Sequence, residues 1–201
     1  MLSLHNLEKN FIKSFIINNS MNDIRQTIDL LEAKNRVELE QIKLPYAKGA
    51  LSPVMSSATI DYHYGHLYKT YVEKFNSGEG DANFNEAGAY LHSIYFAQFK
   101  SPGTRQPHGR ILDLITRNHK SFTDFKKAFK EEAMKLQGSN WIYLSKSGTI
   151  KTIRNHAKRN DIALLVDWWE HAWSLDYHAN KEKYLDNIWR IMDWDAINRR
   201  L

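Results

Sequence analysis

Residues 162–171 read IALLVDWWEH, and the chain is best read outward from them. Ile162, Ala163, Leu164, Leu165 and Val166 form a short, continuously apolar run, the pattern of a strand buried on both faces. Asp167 and His171 follow at its exit, four residues apart, offering one anionic oxygen and one imidazole nitrogen at ligand spacing. Far upstream, His63 and His92 lie inside helical patterns. Three imidazoles and one carboxylate make a borderline-hard donor set, better suited to iron or manganese than to an ion that prefers thiolate. Taken singly, each histidine also fits a hydrogen-bonded core residue, and Asp167 also fits a helix cap. Convergence of all four separates the two readings.

Composition bounds the fold. A chain of 201 residues, 42% hydrophobic and 12% aromatic, can bury a sizeable core in one or two small domains. Its 28 Lys and Arg against 23 Asp and Glu give a charge of +5, enough to draw small anions to a concave site but too little to imply nucleic acid. Residues 1–43 are balanced, six against six, so the excess lies in the remainder. The absence of cysteine rules out disulfides, thiolate metal sites and cysteine nucleophiles, and removes a side chain that oxidants attack. No apolar run approaches the ~18 residues of a membrane span, so no membrane partner is expected. Residues 1–20 lack both a secretory h-region and the arginines of an organelle presequence, which points to the cytoplasm and keeps the mitochondrion as the second location.

Along the chain, residues 1–43 read as an extension. Within it Ile24, Ile28, Leu31 and Val37 give residues 22–41 a helical pattern. LPYAKGALSP, residues 44–53, reads as an extended lead-in. A helix follows, capped by Ser56 or Ser57, in which His63, Leu67 and Tyr71 share a face and Gly65 suggests a close neighbour. SGEGDAN at 77–83 turns the chain into a second helix carrying His92, stopped by Pro102 and Gly103, so that 44–101 forms an antiparallel helical hairpin. Residues 102–201 then supply two further helices, the second with a capping box at Ser121 and Asp124 and a C-cap at Gly138. A β-hairpin of residues 140–144 and 149–154, the buried strand 162–166, and a helical end complete the chain. The expected class is α+β: the helical hairpin followed by an α/β domain with a small three-stranded antiparallel sheet.

Several of these segments together resemble the iron/manganese superoxide dismutases, from about Leu44 to the C-terminus. LPYAKGALSP is similar to that family's opening segment and IDYHYGHLYKTYV to its first ligand helix. SFTDFKKAFKEEA and GSNWIYL resemble the helix and strand that follow, and DWWEHAW with YLDNIWRIMDW resembles its signature and closing helices. The resemblance implies that His63, His92, Asp167 and His171 hold one iron or manganese ion. It further implies that superoxide is alternately oxidised to dioxygen and reduced, with proton uptake, to hydrogen peroxide. It assigns Tyr71 to the gateway, Trp141 to a wall of the cavity, and His156 to hydrogen bonding with metal-bound solvent, since Gly88 and Ala89 in the second helix offer no donor.

Two positions depart from the family pattern. Leu67 stands where the family has a second histidine, and Ser174 where it has the tyrosine that pairs with that histidine across the dimer. Their loss bears on proton delivery more than on metal binding. Glu170 matches the family glutamate that reaches a partner subunit, so a homodimer or homotetramer is expected. The competing reading is a noncatalytic component on the same fold, such as a ribosome-associated protein, and only under it would nucleic acid be a partner. The extension, the basic core and the missing pair favour that reading; four intact ligands plus Tyr71 oppose it. A zinc hydrolase is weaker, because no nearby carboxylate offers itself as general base. A ring of His66, Lys69 and Lys181 around the site would steer a small anion, whereas a continuous stripe of Arg154, Lys158, Arg159, Arg199 and Arg200 would suit a polyanion.

Overall fold

Ser56 starts the first helix of the hairpin in the computed structural model, its hydroxyl accepting from Thr59 N at 3.1 Å. The cap is closed from the far side of the sequence, because Asp176 Oδ2 accepts from Ser56 N at 2.9 Å and from Thr59 Oγ1 at 2.8 Å. This helix, α1 (Ser57–Tyr62), passes without a break into a π-helical segment, His63–Tyr68, and then into α2 (Lys69–Ser77), which ends on left-handed Gly78. Asp81 caps α3 (Ala82–Phe96), the second arm of the hairpin.

The structure describes residues 23–27 and 38–201. The chain divides into two units, Met1–Glu38 and Leu39–Leu201, and the site is built in the second. Of the helix expected over 22–41, residues 23–27 are helical and 38–41 are not; Ile28, Leu31 and Val37 lie outside the described residues. Residues 39–42 instead run along the hairpin. Leu39 exchanges two hydrogen bonds with the Asn76 amide, each 2.9 Å, and Tyr64 OH donates to Ile42 O at 2.6 Å. The lead-in at 44–53 coils through successive turns rather than extending, with Ala50 N bonded to Ala47 O and Val54 N to Leu51 O.

The π segment changes which residues share a face. In a regular α-helix eight residues make about 2.2 turns, whereas one i→i+5 turn in the path lets the same eight residues make about two. His63 and Tyr71 therefore point the same way. The buried position between them is Tyr68, 1% exposed, and not the expected Leu67, which is only partly covered. Nor does Gly65 answer to a close neighbour: no heavy atom lies within 4 Å of where its Cβ would stand. Gly65→Ala is therefore expected to raise stability by about 0.5–1 kcal/mol through the unfolded chain's lost freedom, read as a shifted denaturant midpoint. A lowered midpoint would show that the π turn itself requires glycine.

The second half opens with α4 (Gly109–His119) and α5 (Phe122–Lys135). Both are amphipathic, burying Ile111, Leu114 and Ile115 and then Phe125, Phe129 and Ala133. The Ser121 cap is present, with Asp124 N donating to its hydroxyl at 3.0 Å. Gly138 is not the C-cap of α5. That place is taken by extended Leu136, and left-handed Gly138 (φ 73°) serves the turn into the sheet.

Strands β1 (Asn140–Ser145), β2 (Ile150–Arg154) and β3 (Ile162–Asp167) form an antiparallel sheet in the order β2-β1-β3. Every residue of β1 and β3 is buried, as the apolar run predicts. Beside β3, the buried Gln98 amide at the end of α3 donates to Leu165 O and accepts from Leu165 N, so backbone groups without a strand partner are still satisfied. A 3₁₀ turn (Glu170–Ala172) and α6 (Ser174–Tyr177) lead to α7 (Lys181–Ile188), a second 3₁₀ turn (Trp189–Ile191) and α8 (Trp194–Asn198). The helical hairpin and the small antiparallel sheet thus match the α+β class read from the sequence.

Candidate metal centre

The hairpin and the sheet converge on His63, His92, Asp167 and His171. His63 opens the π segment and His92 lies one turn before the end of α3; both are fully buried. Asp167 is the last residue of β3 and His171 lies in the turn after it. One donor atom from each of the four lies within 4.8 Å of every other. Around a small first-row ion, imidazole and carboxylate donors at about 2.1 Å must lie within about 4.2 Å of one another, so a contraction of roughly half an ångström seats the ion.

The unused polar atoms point to the same conclusion. Asp167 Oδ2 lies 3.1 Å from His63 Nε2, 3.2 Å from His171 Nε2 and 3.9 Å from His92 Nε2. Yet Nε2 of His63 and of His92 are buried without a hydrogen-bond partner among the described residues. For His63 the separation suits a hydrogen bond but the direction does not. Both nitrogens lie within 3.9 Å of Asp167 Oδ2. His92 Nδ1–H donates to Gly88 O at 2.7 Å, which fixes the tautomer that leaves Nε2 free to ligate. Asp167 Oδ1 is held by Trp169 N at 2.8 Å, so only Oδ2 faces the histidines. Two buried, unpartnered imidazole nitrogens would each cost about 1–3 kcal/mol without a ligand to satisfy them, and a metal ion does so.

Burial dominates the electrostatics. It lowers the His63 pKa to about 4, helped by His171 and opposed by Asp167. His92 is pushed well below its ordinary value by burial and then by His63. Burial alone would raise the Asp167 carboxyl, but His171 and His63 hold it below the usual carboxylate range. Near pH 7 His63 and His92 are therefore neutral imidazoles and Asp167 an anionic carboxylate, the forms that bind metal.

The residues around this set are placed by the sheet. Trp141 pairs with Asp167 across β1 and β3, which brings its ring to 5.0 Å from that of His92. Left-handed Asn155 (φ 54°) ends β2 and turns His156 inward. Trp141 Nε1–H donates to His156 Nδ1 at 3.1 Å, so the proton of the neutral ring sits on Nε2, which is buried and has no partner among the described residues. His156 thus presents an N–H donor; burial lowers its pKa to about 4. Tyr71 packs against His92 at 5.3 Å and His156 at 4.9 Å, and burial, followed by Asp167, raises its phenol to about 12. At Gly88 a Cβ would stand 2.9 Å from Tyr71 Cγ and 3.2 Å from His156 Cδ2. Tyr68, which the helical pattern did not single out, stacks on His92 at 5.7 Å and 16°.

The basic residues do not sort as either simple pattern. Lys69 pairs with Glu73 at 3.1 Å, and the Lys181 ammonium sits over the Trp168 ring at 5.3 Å. Lys158 pairs with Glu86 at 2.7 Å, while Arg200 turns inward to Ile94 O and Gln98 Oε1. The stripe suited to a polyanion is therefore interrupted.

Comparison with known proteins agrees with the geometry. Residues 38–81 match the profile described as iron/manganese superoxide dismutases, alpha-hairpin domain, and residues 107–200 match that of the C-terminal domain. The superoxide dismutase [Fe] of Bacteroides fragilis (strain YCH46) is 37% identical over 190 residues, which cover 81% of this chain and 98% of the relative. The chain belongs to the iron/manganese superoxide dismutases. The superoxide dismutase [Mn/Fe] of Porphyromonas gingivalis is 33% identical over 187 residues, 80% of this chain and 98% of the relative. The superoxide dismutase [Fe] of Escherichia coli (strain K12) is 31% identical over 184 residues, 79% and 95%. These names support the enzymatic reading over the noncatalytic scaffold, and the His-His-Asp-His cluster is where a family member's iron or manganese would sit. Among the described residues no helix is long and apolar enough to cross a membrane.

A pH dependence follows for the metal-free protein. His63, His92 and His156 have folded-state pKa values below the ordinary 6.5, so the unfolded chain binds protons that the folded one refuses. The stability they allow is complete above about pH 6.5 and is lost as pH falls toward about 4. Denaturant melts of the metal-free protein are expected to show a falling midpoint from pH 7 to pH 5, with part of the slope removed in His156→Gln. A flat profile over that range would contradict the burial of these rings.

Proposed function

We propose that this chain catalyses the dismutation of superoxide, two superoxide anions and two protons giving dioxygen and hydrogen peroxide. In this reading His63, His92, Asp167 and His171 hold the ion, and Tyr71 and His156 are the catalytic partners beside it. The observation that carries the proposal is the set of four converging donor atoms, two of them buried imidazole nitrogens without a hydrogen-bond partner among the described residues. When bound, iron or manganese supplies one-electron chemistry, accepting an electron from one superoxide and returning it to the next.

The surrounding residues control protons and access. His156 presents Nε2–H toward the ligand set, fixed in that tautomer by Trp141. Tyr71, with its pKa raised to about 12, keeps its phenolic proton at neutral pH and can donate to an incoming anion or relay a proton. Trp141, fully buried, and Trp169, stacked on His156 at 4.7 Å, exclude bulk water from that side. The apolar Leu67 leaves proton supply at the mouth to Tyr71. The deciding experiment is elemental analysis with a dismutation assay on one sample. About one iron or manganese per chain with activity supports the proposal, and a metal-free, inactive protein as isolated and after reconstitution contradicts it.

The same reading includes a homodimer or homotetramer in the cytoplasm, with residues 1–43 as an extension, 44–101 as the hairpin and 102–201 as the α/β part. His171 turns Nε2 to Asp167, and its Nδ1 has no partner among the described residues. The exposed Glu170 beside it, together with Leu175 at 52% exposure, offers a second copy both a carboxylate and an apolar contact. Glu170→Ala is expected to weaken self-association at least tenfold by sedimentation, in line with removing one member of a charge pair buried between partners. An unchanged sedimentation profile would remove Glu170 from the interface.

A further inference from the structure

Asp167 is the last residue of β3, and its carbonyl faces the edge of the strand away from β1, as the Leu165 N–H and C=O two residues earlier do. That carbonyl accepts from Tyr184 OH at 3.1 Å. Tyr184, on α7, lies 2.9 Å hydroxyl to hydroxyl from Tyr95, on α3, and both side chains are fully buried. Two phenols have two protons, and three acceptors are in reach: the Asp167 carbonyl, a phenol oxygen, and Met55 Sδ at 3.9 Å from Tyr95 OH. The peptide carbonyl is the strongest acceptor and the thioether the weakest. Tyr184 therefore donates to Asp167 O, and Tyr95 donates to Tyr184.

The chain Tyr95→Tyr184→Asp167 joins the two halves of the centre from behind. Tyr95 stands three residues after His92 on the same helix, and its ring packs 5.3 Å from that of His63. Tyr184 belongs to the closing helices and reaches the end of β3. One directional polar chain thus ties the backbone of the candidate carboxylate ligand to the helix carrying a candidate histidine ligand, within otherwise apolar packing. Apolar contacts fix volume but not direction, whereas two hydrogen bonds in series fix both.

We propose that Tyr184 and Tyr95 are positioning residues that set the placement of Asp167 relative to His92, and thereby the affinity and symmetry of the metal centre. The proposal rests on the four-residue site above. Outer partners of ligands typically govern about 10–100-fold in metal affinity.

The test uses Tyr184→Phe, which keeps the ring and removes only the hydroxyl, with Tyr95→Phe and the double variant. Each full-length protein is loaded with iron and measured by chelator competition and by electron paramagnetic resonance of the ferric form. Tyr184→Phe is expected to hold iron about 10–100-fold more weakly and to shift the resonance pattern. Tyr95→Phe should have a smaller effect in the same direction, and the double variant should be no worse than Tyr184→Phe, because the series is already broken at Asp167. Parent-like affinity and spectrum in Tyr184→Phe would overturn the proposal, even with a lower melting temperature, since that pattern marks packing alone. A parent protein that binds no iron or manganese would overturn the metal site itself, and this proposal with it.

Discussion

His92→Ala is expected to leave the purified protein with less than about a tenth of the parent's iron or manganese and with no measurable dismutase activity, because ligand and second-sphere losses at such sites multiply. His92 is the most constrained of the four candidate ligands. It is fully buried, its tautomer is fixed by Gly88 O, and its Nε2 has no hydrogen-bond partner among the described residues. Alanine removes that donor and leaves a void among Tyr68, Phe96 and Trp141, whose rings lie 5.7, 6.3 and 5.0 Å from the imidazole. The void costs about 2–4 kcal/mol in the metal-free fold, so circular dichroism must accompany the metal analysis to separate ligand loss from unfolding. A folded variant with parent-level metal would falsify the assignment.

The second large effect should come from a single methyl group. Gly88→Ala places Cβ 2.9 Å from Tyr71 Cγ, at the root of a rigid ring rather than at a flexible tip, and 3.2 Å from His156 Cδ2. Neither neighbour can yield by a small rotation without moving the other, since the two rings pack at 4.9 Å. Overpacking of this kind costs about 1–3 kcal/mol. The functional loss should exceed the structural one. Displacing the Tyr71 phenol and the His156 donor together is expected to lower turnover at least tenfold while metal content stays near the parent's, because none of the four candidate ligands is touched. Full turnover in Gly88→Ala would show that the placement of Tyr71 and His156 is not critical.

Much of this was legible in the sequence, for identifiable reasons. A strand buried on both faces must be continuously apolar, so IALLV revealed β3, and the residues ending it revealed a place where side chains leave the core together. Ser121 and Asp124 announced a helix start because capping is local chemistry. Other features have no local signature. HYGHLY contains nothing that separates a π turn from an α turn, so the buried face fell on Leu67 instead of Tyr68. Gly65 suggested a crowded neighbour where the space is open, and the truly crowded glycine was Gly88, whose neighbours Tyr71 and His156 lie 17 residues before it and 68 after it. The Tyr95–Tyr184 pair is likewise a long-range contact, spanning 89 residues. Gly138 misled for a different reason: a glycine with positive φ near a helix end can serve the next turn as easily as the helix.

The π turn at His63–Tyr68 also bears on how this segment can change through descent. It works as a count. The eight steps from His63 to Tyr71 make about two turns with the π turn in place, and seven would make about 1.9 turns of ordinary helix, so loss of one residue from the segment would let it relax to regular winding with the tyrosine still on the face of His63. Winding all eight as a regular helix would instead turn Tyr71 away by about 80°. A homologue shortened there by one residue is therefore predicted to lack the π turn and to keep the tyrosine's placement, whereas one shortened by two is predicted to lose it.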